Sequence, residues 1–332
     1  MQSTALIAGY DAVLSDLDGV VYAGPHAIEG AVEALQRLDG VGAQLAYVTN
    51  NASRSSETVA AHLRELGAPA TAETVFGSAQ AGAELLAASV PAGATVLVTG
   101  SAWLTEQVRE QGLVPVLSAD DRPDAVIQGF DPALGWKDLA EAAFAVGRGA
   151  VWVATNTDMS IPQARGIAPG NGTLVAAVAA ATGRTPLVAG KPEAPLFRTA
   201  ARHLDAKTPL VVGDRLDTDI LGGNNAGFAT AMVLTGVDTP QTALAARTAE
   251  RPTYLLENLD ALYQPYPAVE VLDGVARCGS ATARVTGGVL EISGNRGDLD
   301  SWRAACAAWW SARPAEENAT APELSWSVSS DG

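Results

Sequence analysis

The run Asp16-Leu17-Asp18-Gly19-Val20-Val21-Tyr22 directly follows the apolar stretch Ala12-Val13-Leu14-Ser15. Together they put two carboxylates, two residues apart, where a buried strand ends. Side chains at i and i+2 of an extended segment share a face. Two acids held that close repel each other unless a cation or a shared proton compensates. A hard divalent ion with oxygen ligands is the natural compensation, and Mg2+ sites built from one or two carboxylates plus phosphate oxygens are common. The plainer reading is a strand followed by an Asp-rich turn, since Asp and Gly are ordinary turn residues. The rest of the chain decides between the two.

With 332 residues, the chain is long enough for two domains and a smaller third piece. Hydrophobic residues make up 48%, enough to build cores and to argue against disorder. Asp and Glu total 37 against 21 Lys and Arg, a formal charge of -16. That field repels polyanions, so neither nucleic acid nor an anionic membrane is expected as a partner. An anionic substrate would need local cationic help. The two cysteines, Cys278 and Cys306, read as free thiols. The first ten residues have neither a basic segment nor a long apolar one, so no signal peptide is expected. No uninterrupted apolar run reaches membrane-spanning length. The expectation is a soluble, cytoplasmic protein.

Short apolar runs alternate with segments of helical period. Strands are expected at 12–15, 44–48, 95–98, 125–127, 151–154, 210–212 and 230–234, with helices between them, such as 29–38 and 56–66. In the second helix Ser55 or Ser56 can cap the start, Val59, Leu63 and Leu66 share a face, and Gly67 ends it. This alternation argues for an α/β fold with parallel sheets. Three strands run into polar groups at their carboxyl ends: Asp16, Thr49-Asn50-Asn51 and Gly213-Asp214. Ligands of open α/β sheets bind at those ends, so the three segments read as parts of one site. Tyr263-Gln264-Pro265-Tyr266-Pro267 reads as a linker. Beyond it lie four of the seven tryptophans, Trp302, Trp309, Trp310 and Trp326. Two strands (276–285 and 289–293), a helix over 299–312 and a loose tail from Ala315 are expected there.

Asp16 is the candidate nucleophile, because a carboxylate can attack phosphorus and split one difficult hydrolysis into two easier steps. Asp18 can protonate the leaving oxygen and later activate water. Mg2+ would offset the repulsion between carboxylate and phosphate. Lys191, one of only three lysines, stands between Gly190 and Pro192 and offers a compact charge for a phosphoryl oxygen. Thr49 and Asn50 supply neutral donors. Of the second acidic cluster, Asp214 is the better metal ligand, Asp219 sits behind it, and Asp217 reads as a turn or capping residue. None of the three histidines is needed by this chemistry.

Asp16-x-Asp18-Gly19, Thr49-Asn50-Asn51, Gly190-Lys191-Pro192 and Gly213-Asp214-x-x-x-Thr218-Asp219, in that order, resemble the four motifs of the haloacid dehalogenase superfamily of phosphatases. The resemblance covers about residues 10–262. It implies a Rossmann-like core (1–83 and 184–262) and Mg2+ held by the Asp16 and Asp214 carboxylates and the Asp18 backbone carbonyl, with Thr49, Asn50, Asn51 and Lys191 on the phosphate. The segment between Asn51 and Lys191 is too long for a plain crossover. It resembles the α/β cap of one subfamily, placed at 84–183. Ala154-Thr155-Asn156-Thr157-Asp158 and Pro169-Gly170-Asn171-Gly172 match a stretch of that cap, with Thr157 where Pro is more usual. Asn156, Asp158 and Arg165 are then either substrate contacts or plain loop residues. The tail (268–332) resembles the short acetyltransferase-like module of bacterial subfamily members that hydrolyse glycerol 3-phosphate. It lacks a pyrophosphate-cradling loop, so a structural or homodimer-forming role through the Trp-rich helix is expected instead. The resemblance implies a small-molecule phosphomonoester as substrate, with glycerol 3-phosphate preferred. Phosphoglycolate, a nucleoside monophosphate and pyridoxal phosphate are the alternatives. A phosphotransferase or mutase would differ only in the acceptor. A non-catalytic binding module would have no need of both Asp16 and Asp18.

Overall fold

The computed structural model describes residues 4–163 and 165–327. They divide into two compact units: the chain up to Leu45 together with the chain from Leu204 onward, and Ala46–His203.

In the first unit, strands Tyr254–Leu256, Ala229–Val233, Pro209–Gly213 and Ala12–Ser15 lie side by side in that order, all parallel. Every residue of Ala12–Ser15 and of Pro209–Gly213 is buried, which is why both read as unbroken apolar runs instead of alternating ones. The register pairs Ser15 with Val212 and Gly213 with Met232, so neighbouring strands end at nearly the same level. Gln44, at the start of the strand Gln44–Thr49, donates its N–H to the Asp11 carbonyl (2.9 Å) just ahead of Ala12. The helix expected over 29–38 is shorter, Ala31–Gln36. Gly30 precedes it in the left-handed conformation (φ 75°), and the chain passes from Leu38 into a 3-10 turn.

The C-terminal part of this unit departs from expectation. The single strand expected over 276–285 is a hairpin, Val275–Cys278 and Ala281–Thr286, broken at Gly279 (φ +56°). A further strand, Val269–Leu272, precedes it. The supposed loose tail contains Glu323–Ser327, a strand parallel to Val289–Ser293. Its alternation is short but clear once placed: Leu324 and Trp326 turn inward, Glu323, Ser325 and Ser327 outward. Helix Leu299–Ala312 forms as expected, with the Asp298 carboxylate accepting the N–H of Asp300 (2.9 Å) at its start. Residues 268 onward do not keep a separate core. Trp302, Trp309, Leu290 and Ile292 pack in one buried cluster with Leu216, Ile220, Met232, Leu244 and Leu255. Trp302 and Trp309, which suggested a dimer-forming helix, are 6% and 2% exposed and are spent on this core.

In the second unit, the rest of Gln44–Thr49 pairs in parallel with Val75–Gly77. Helix Ser56–Glu65 starts where predicted, the Ser55 hydroxyl accepting the Thr58 N–H (3.2 Å). A five-stranded parallel sheet follows, in the order Leu187–Val188, Val151–Ala154, Ala125–Gln128, Thr95–Thr99, Val114–Val116. Its alternate residues face two different cores. Val96, Ile127 and Val153 meet Leu86 and Leu104, while Leu97, Val126 and Trp152 meet Val146 and Val178. Most of this sheet falls within 84–183, and its strand Leu187–Val188 lies beyond that span. Helices Ser78–Ser89 and Pro195–His203 belong to the same unit. Glu84 on the first accepts from Thr199 (2.8 Å), Arg202 and His203 (2.9 Å) on the second. No helix among the described residues is long and apolar enough to cross a membrane.

Candidate active site

The first unit assembles an acidic cluster from two adjacent strand ends. Past Ser15, the Asp16 N–H still donates to Val212 O (2.8 Å), holding Asp16 in line with its neighbour. The chain then turns tightly, with Val21 N–H on Leu17 O (2.8 Å) and Gly19 N–H on Tyr22 O (2.8 Å). Gly19 adopts φ +78°, which favours glycine. Next to it, Pro209–Gly213 delivers Asp214, and a π-helical turn, Leu216–Ile220, brings Asp219 back. Oxygens of Asp16, Asp214 and Asp219 lie within 4.8 Å of one another. Asp214 and Asp219 are 2% and 1% exposed.

This crowding of carboxylates is built, not incidental. A Cβ at Gly213 would fall 2.1 Å from the Asp219 Cβ. A Cβ at Gly236 would fall 2.0 Å from Asp214 Oδ2, and one at Gly19 would fall 2.3 Å from the same atom. Three glycines therefore leave the space that the carboxylates fill. The Val237 N–H donates to Asp214 Oδ2 (2.8 Å), the Arg215 N–H to Asp219 Oδ2 (3.2 Å), and the Thr235 hydroxyl to Gly19 O (2.6 Å). Three carboxylates at such range need a compensating charge. A donor set of carboxylate oxygens alone suits a hard divalent cation. Asp219, expected behind the ligands, is the third member of the cluster. Asp18, whose side chain is exposed, is not one of the three. Asp217 is the partner of Arg215, through two bonds of 3.0 and 2.9 Å. That pairing raises the Arg215 guanidinium above its ordinary value, and the charges of Asp219 and Asp214 act in the same direction.

The second unit assembles the remaining motif residues. Thr49 ends its strand half-buried, its Oγ1 accepting the Asn51 N–H (3.2 Å). The Asn51 side chain is used locally: its Oδ1 accepts from Ser53 N–H (2.9 Å) and Arg54 N–H (2.9 Å), shaping the turn into the next helix. Asn50 meets Lys191 and Asp158. Its Oδ1 accepts the Lys191 N–H (2.8 Å), and its Nδ2 donates to Lys191 O (3.2 Å) and to the Asp158 carboxylate (3.0 and 3.2 Å). Its side-chain donors are thus spent within the protein, whereas the sequence suggested a neutral donor to substrate. Lys191 is 3% exposed, its Nζ 5.6 Å from the centre of the Phe197 ring, ahead of a cis peptide bond to Pro192.

Of the three residues proposed from the insertion, Asn156 is 4% exposed. Its Nδ2 donates to Asn50 O (2.8 Å) and its Oδ1 accepts the Asp158 N–H (3.2 Å), so it braces the loop. Asp158 is half-buried beside Asn50. Arg165 is exposed, in the turn of the hairpin Ser160–Gln163 and Gly166–Pro169. Ser78, Thr235 and Gly236 were not foreseen. Ser78 donates to Asn50 O (2.6 Å), and nothing in its local sequence marks it. Thr235 and Gly236 do follow an apolar run ending at Leu234, the same pattern that exposed Asp16 and Asp214.

The class follows from these two sets of residues and their strand ends: the chain belongs to the haloacid dehalogenase-like hydrolases. The model of that description matches residues 13–114, and an HAD-hydrolase-like model matches 188–262. Within the class, the chain is 45% identical over 315 residues to the D-glycerol 3-phosphate phosphatase of Mycobacterium tuberculosis, covering 92% of this chain and 88% of that one. It is 38% identical over 253 residues to an acid sugar phosphatase of Staphylococcus saprophyticus, covering 76% and 96%. The crystal structure of a glycerol phosphate phosphatase from M. tuberculosis in complex with magnesium superposes with a TM-score of 0.87 at 43% identity, covering 98% of this chain and 95% of that one.

Proposed function

We propose that the chain is a Mg2+-dependent phosphomonoesterase whose preferred substrate is glycerol 3-phosphate, released as glycerol and inorganic phosphate. The chemistry rests on one observation, the cluster of Asp16, Asp214 and Asp219 oxygens within 4.8 Å. The substrate rests on the relative that is 45% identical over 92% of the chain. Asp16, Asp214 and Asp219 offer the carboxylates for Mg2+, with the Asp18 carbonyl beside them. Once bound, the ion offsets carboxylate and phosphate charge and stabilises the transferring phosphoryl group.

In the proposed reaction an Asp16 oxygen attacks phosphorus. The bond from phosphorus to the glycerol oxygen breaks, and Asp18 gives that oxygen its proton. Asp18 then takes a proton from water, which attacks the aspartyl-phosphate, frees inorganic phosphate and restores the Asp16 carboxylate. Thr49 and Lys191 bind the phosphoryl oxygens. Residues 1–83 and 184–262 serve as the phosphatase core and 84–183 as the cap that selects the leaving group, while 268 onward supports the core. Phosphate release from glycerol 3-phosphate, phosphoglycolate and a sugar phosphate, each with Mg2+ and with chelator, tests this reading. Chelator-sensitive release led by glycerol 3-phosphate is expected. Release led by another ester would overturn the substrate, and release that ignores chelator would overturn the metal.

A further inference from the structure

The amide of Asn50 bonds to both main-chain polar groups of Lys191. Oδ1 accepts its N–H (2.8 Å) and Nδ2 donates to its carbonyl (3.2 Å). The second Nδ2 hydrogen faces both oxygens of Asp158 (3.0 and 3.2 Å). An ionised carboxylate only accepts, so Asp158 forces the nitrogen end of the amide toward itself and the oxygen end toward the Lys191 N–H. The backbone of Asn50 is pinned as well. Its carbonyl accepts from the Ser78 hydroxyl (2.6 Å) and from Asn156 Nδ2 (2.8 Å), both on buried residues. Gly190 admits the arrangement, since a Cβ there would lie 2.6 Å from Asn50 Oδ1 and 2.6 Å from Thr155 O. Both bonds from the Asn50 side chain to residue 191 run to its main chain.

We infer that Asn50 is a positioning residue: it sets the Lys191 ammonium for phosphoryl binding through the Lys191 main chain, and Asp158 keeps the amide correctly oriented. This rests on the proposed role of Lys191. It also assigns Asp158 a place in the phosphate grip where the sequence suggested a substrate contact. The arrangement makes a distinctive demand. Asn50→Asp puts an oxygen where Nδ2 stood, facing Asp158 and the Lys191 carbonyl. Adding Asp158→Asn restores a donor between the two side chains with the roles exchanged.

The test measures kcat, KM, competitive inhibition by inorganic phosphate, and thermal midpoint for Asn50→Asp, Asn50→Ala, the double variant Asn50→Asp with Asp158→Asn, and Lys191→Ala. Misplacing a binding group by about 1 Å costs on the order of 100-fold, so a loss of that size in kcat/KM is expected for Asn50→Asp. Phosphate inhibition should weaken in parallel. The double variant should recover about 10-fold over Asn50→Asp, a coupling that independent sites do not show. A double variant no better than Asn50→Asp, or an Asn50→Ala enzyme within about threefold of the parent, overturns the inference. Should Asn50→Asp fail to fold, the Asn50→Ala result alone decides. Lys191→Ala with unimpaired turnover would instead overturn the role of Lys191 on which the inference rests.

Discussion

Gly236 and Asp214 occupy space that no other residue at 236 could share: the missing Cβ would stand 2.0 Å from Asp214 Oδ2 and 2.5 Å from its carboxyl carbon. The Val237 N–H on the same oxygen (2.8 Å) fixes the carboxylate against that gap. Gly236→Ala therefore acts first on Asp214, whose atoms are the three nearest to the added Cβ, and backbone conformation at 236 does not require glycine. The displaced carboxylate should weaken Mg2+ activation about 10- to 100-fold, the scale seen when a partner that orients a metal ligand is lost. Titration of activity against Mg2+ measures this, with circular dichroism to show the fold retained. An unchanged Mg2+ midpoint would detach Asp214 from the metal.

Trp302 and Trp309 of the C-terminal segment share one buried cluster with Leu216, Ile220, Met232 and Leu255, so stability should depend on them. Trp309→Ala should cost about 3–5 kcal/mol, the usual range for an emptied aromatic site. A chain ending at Pro267 would expose Leu216, Ile220, Met232 and Leu255 together, and is expected to aggregate on expression. Urea unfolding of the first and the soluble yield of the second check this. A soluble, active truncated enzyme would show the segment to be dispensable.

Where the sequence was readable, the reason is local. Ala12–Ser15 and Pro209–Gly213 carry no charged residue and are buried on both faces, so the acids that follow them stood out. That Asp219 comes within 4.8 Å of Asp16 and Asp214 was not legible, because its position depends on the π-helical turn and on the close approach to Gly213, neither of which has a periodic signature. The partners of Asn50 and Asn156 within the protein were hidden for a related reason. Residue type marks an amide as a donor, but only the fold shows that its hydrogens are already taken. Glu323–Ser327 escaped notice because five alternating residues after a polar stretch resemble a tail until Val289–Ser293 lies beside them.

Both cysteines should be inert in the folded protein. Burial pushes the Cys278 thiol up to about 12, with a hydrogen bond to Asp300 acting in the same direction, and burial raises Cys306 as well. The thiolate is the reactive form, so neither residue should react with a disulfide reagent at neutral pH. Adding denaturant should release two thiols per chain, counted by absorbance. Rapid modification of the native enzyme would contradict the burial.

Asp11 links the start of Ala12–Ser15 to the segment ahead of Pro209–Gly213, accepting the N–H of Lys207 (2.6 Å) and of Thr208 (2.9 Å). Burial alone would raise its carboxyl pKa, but these bonds together outweigh burial and hold it below the usual carboxylate range. A carboxylate whose pKa is lower folded than unfolded stabilises the protein above its unfolded value, about 3.9. That contribution fades as pH falls through the folded value. Asp11→Asn keeps the size but accepts through one oxygen only, and it cannot titrate. The parent should therefore exceed the variant in thermal midpoint at pH 7, and the gap should narrow as pH drops below about 4. Midpoints measured from pH 7 down to about 3 check the sign. A gap that widened on acidification would mean that the bonds from Lys207 and Thr208 favour the protonated acid.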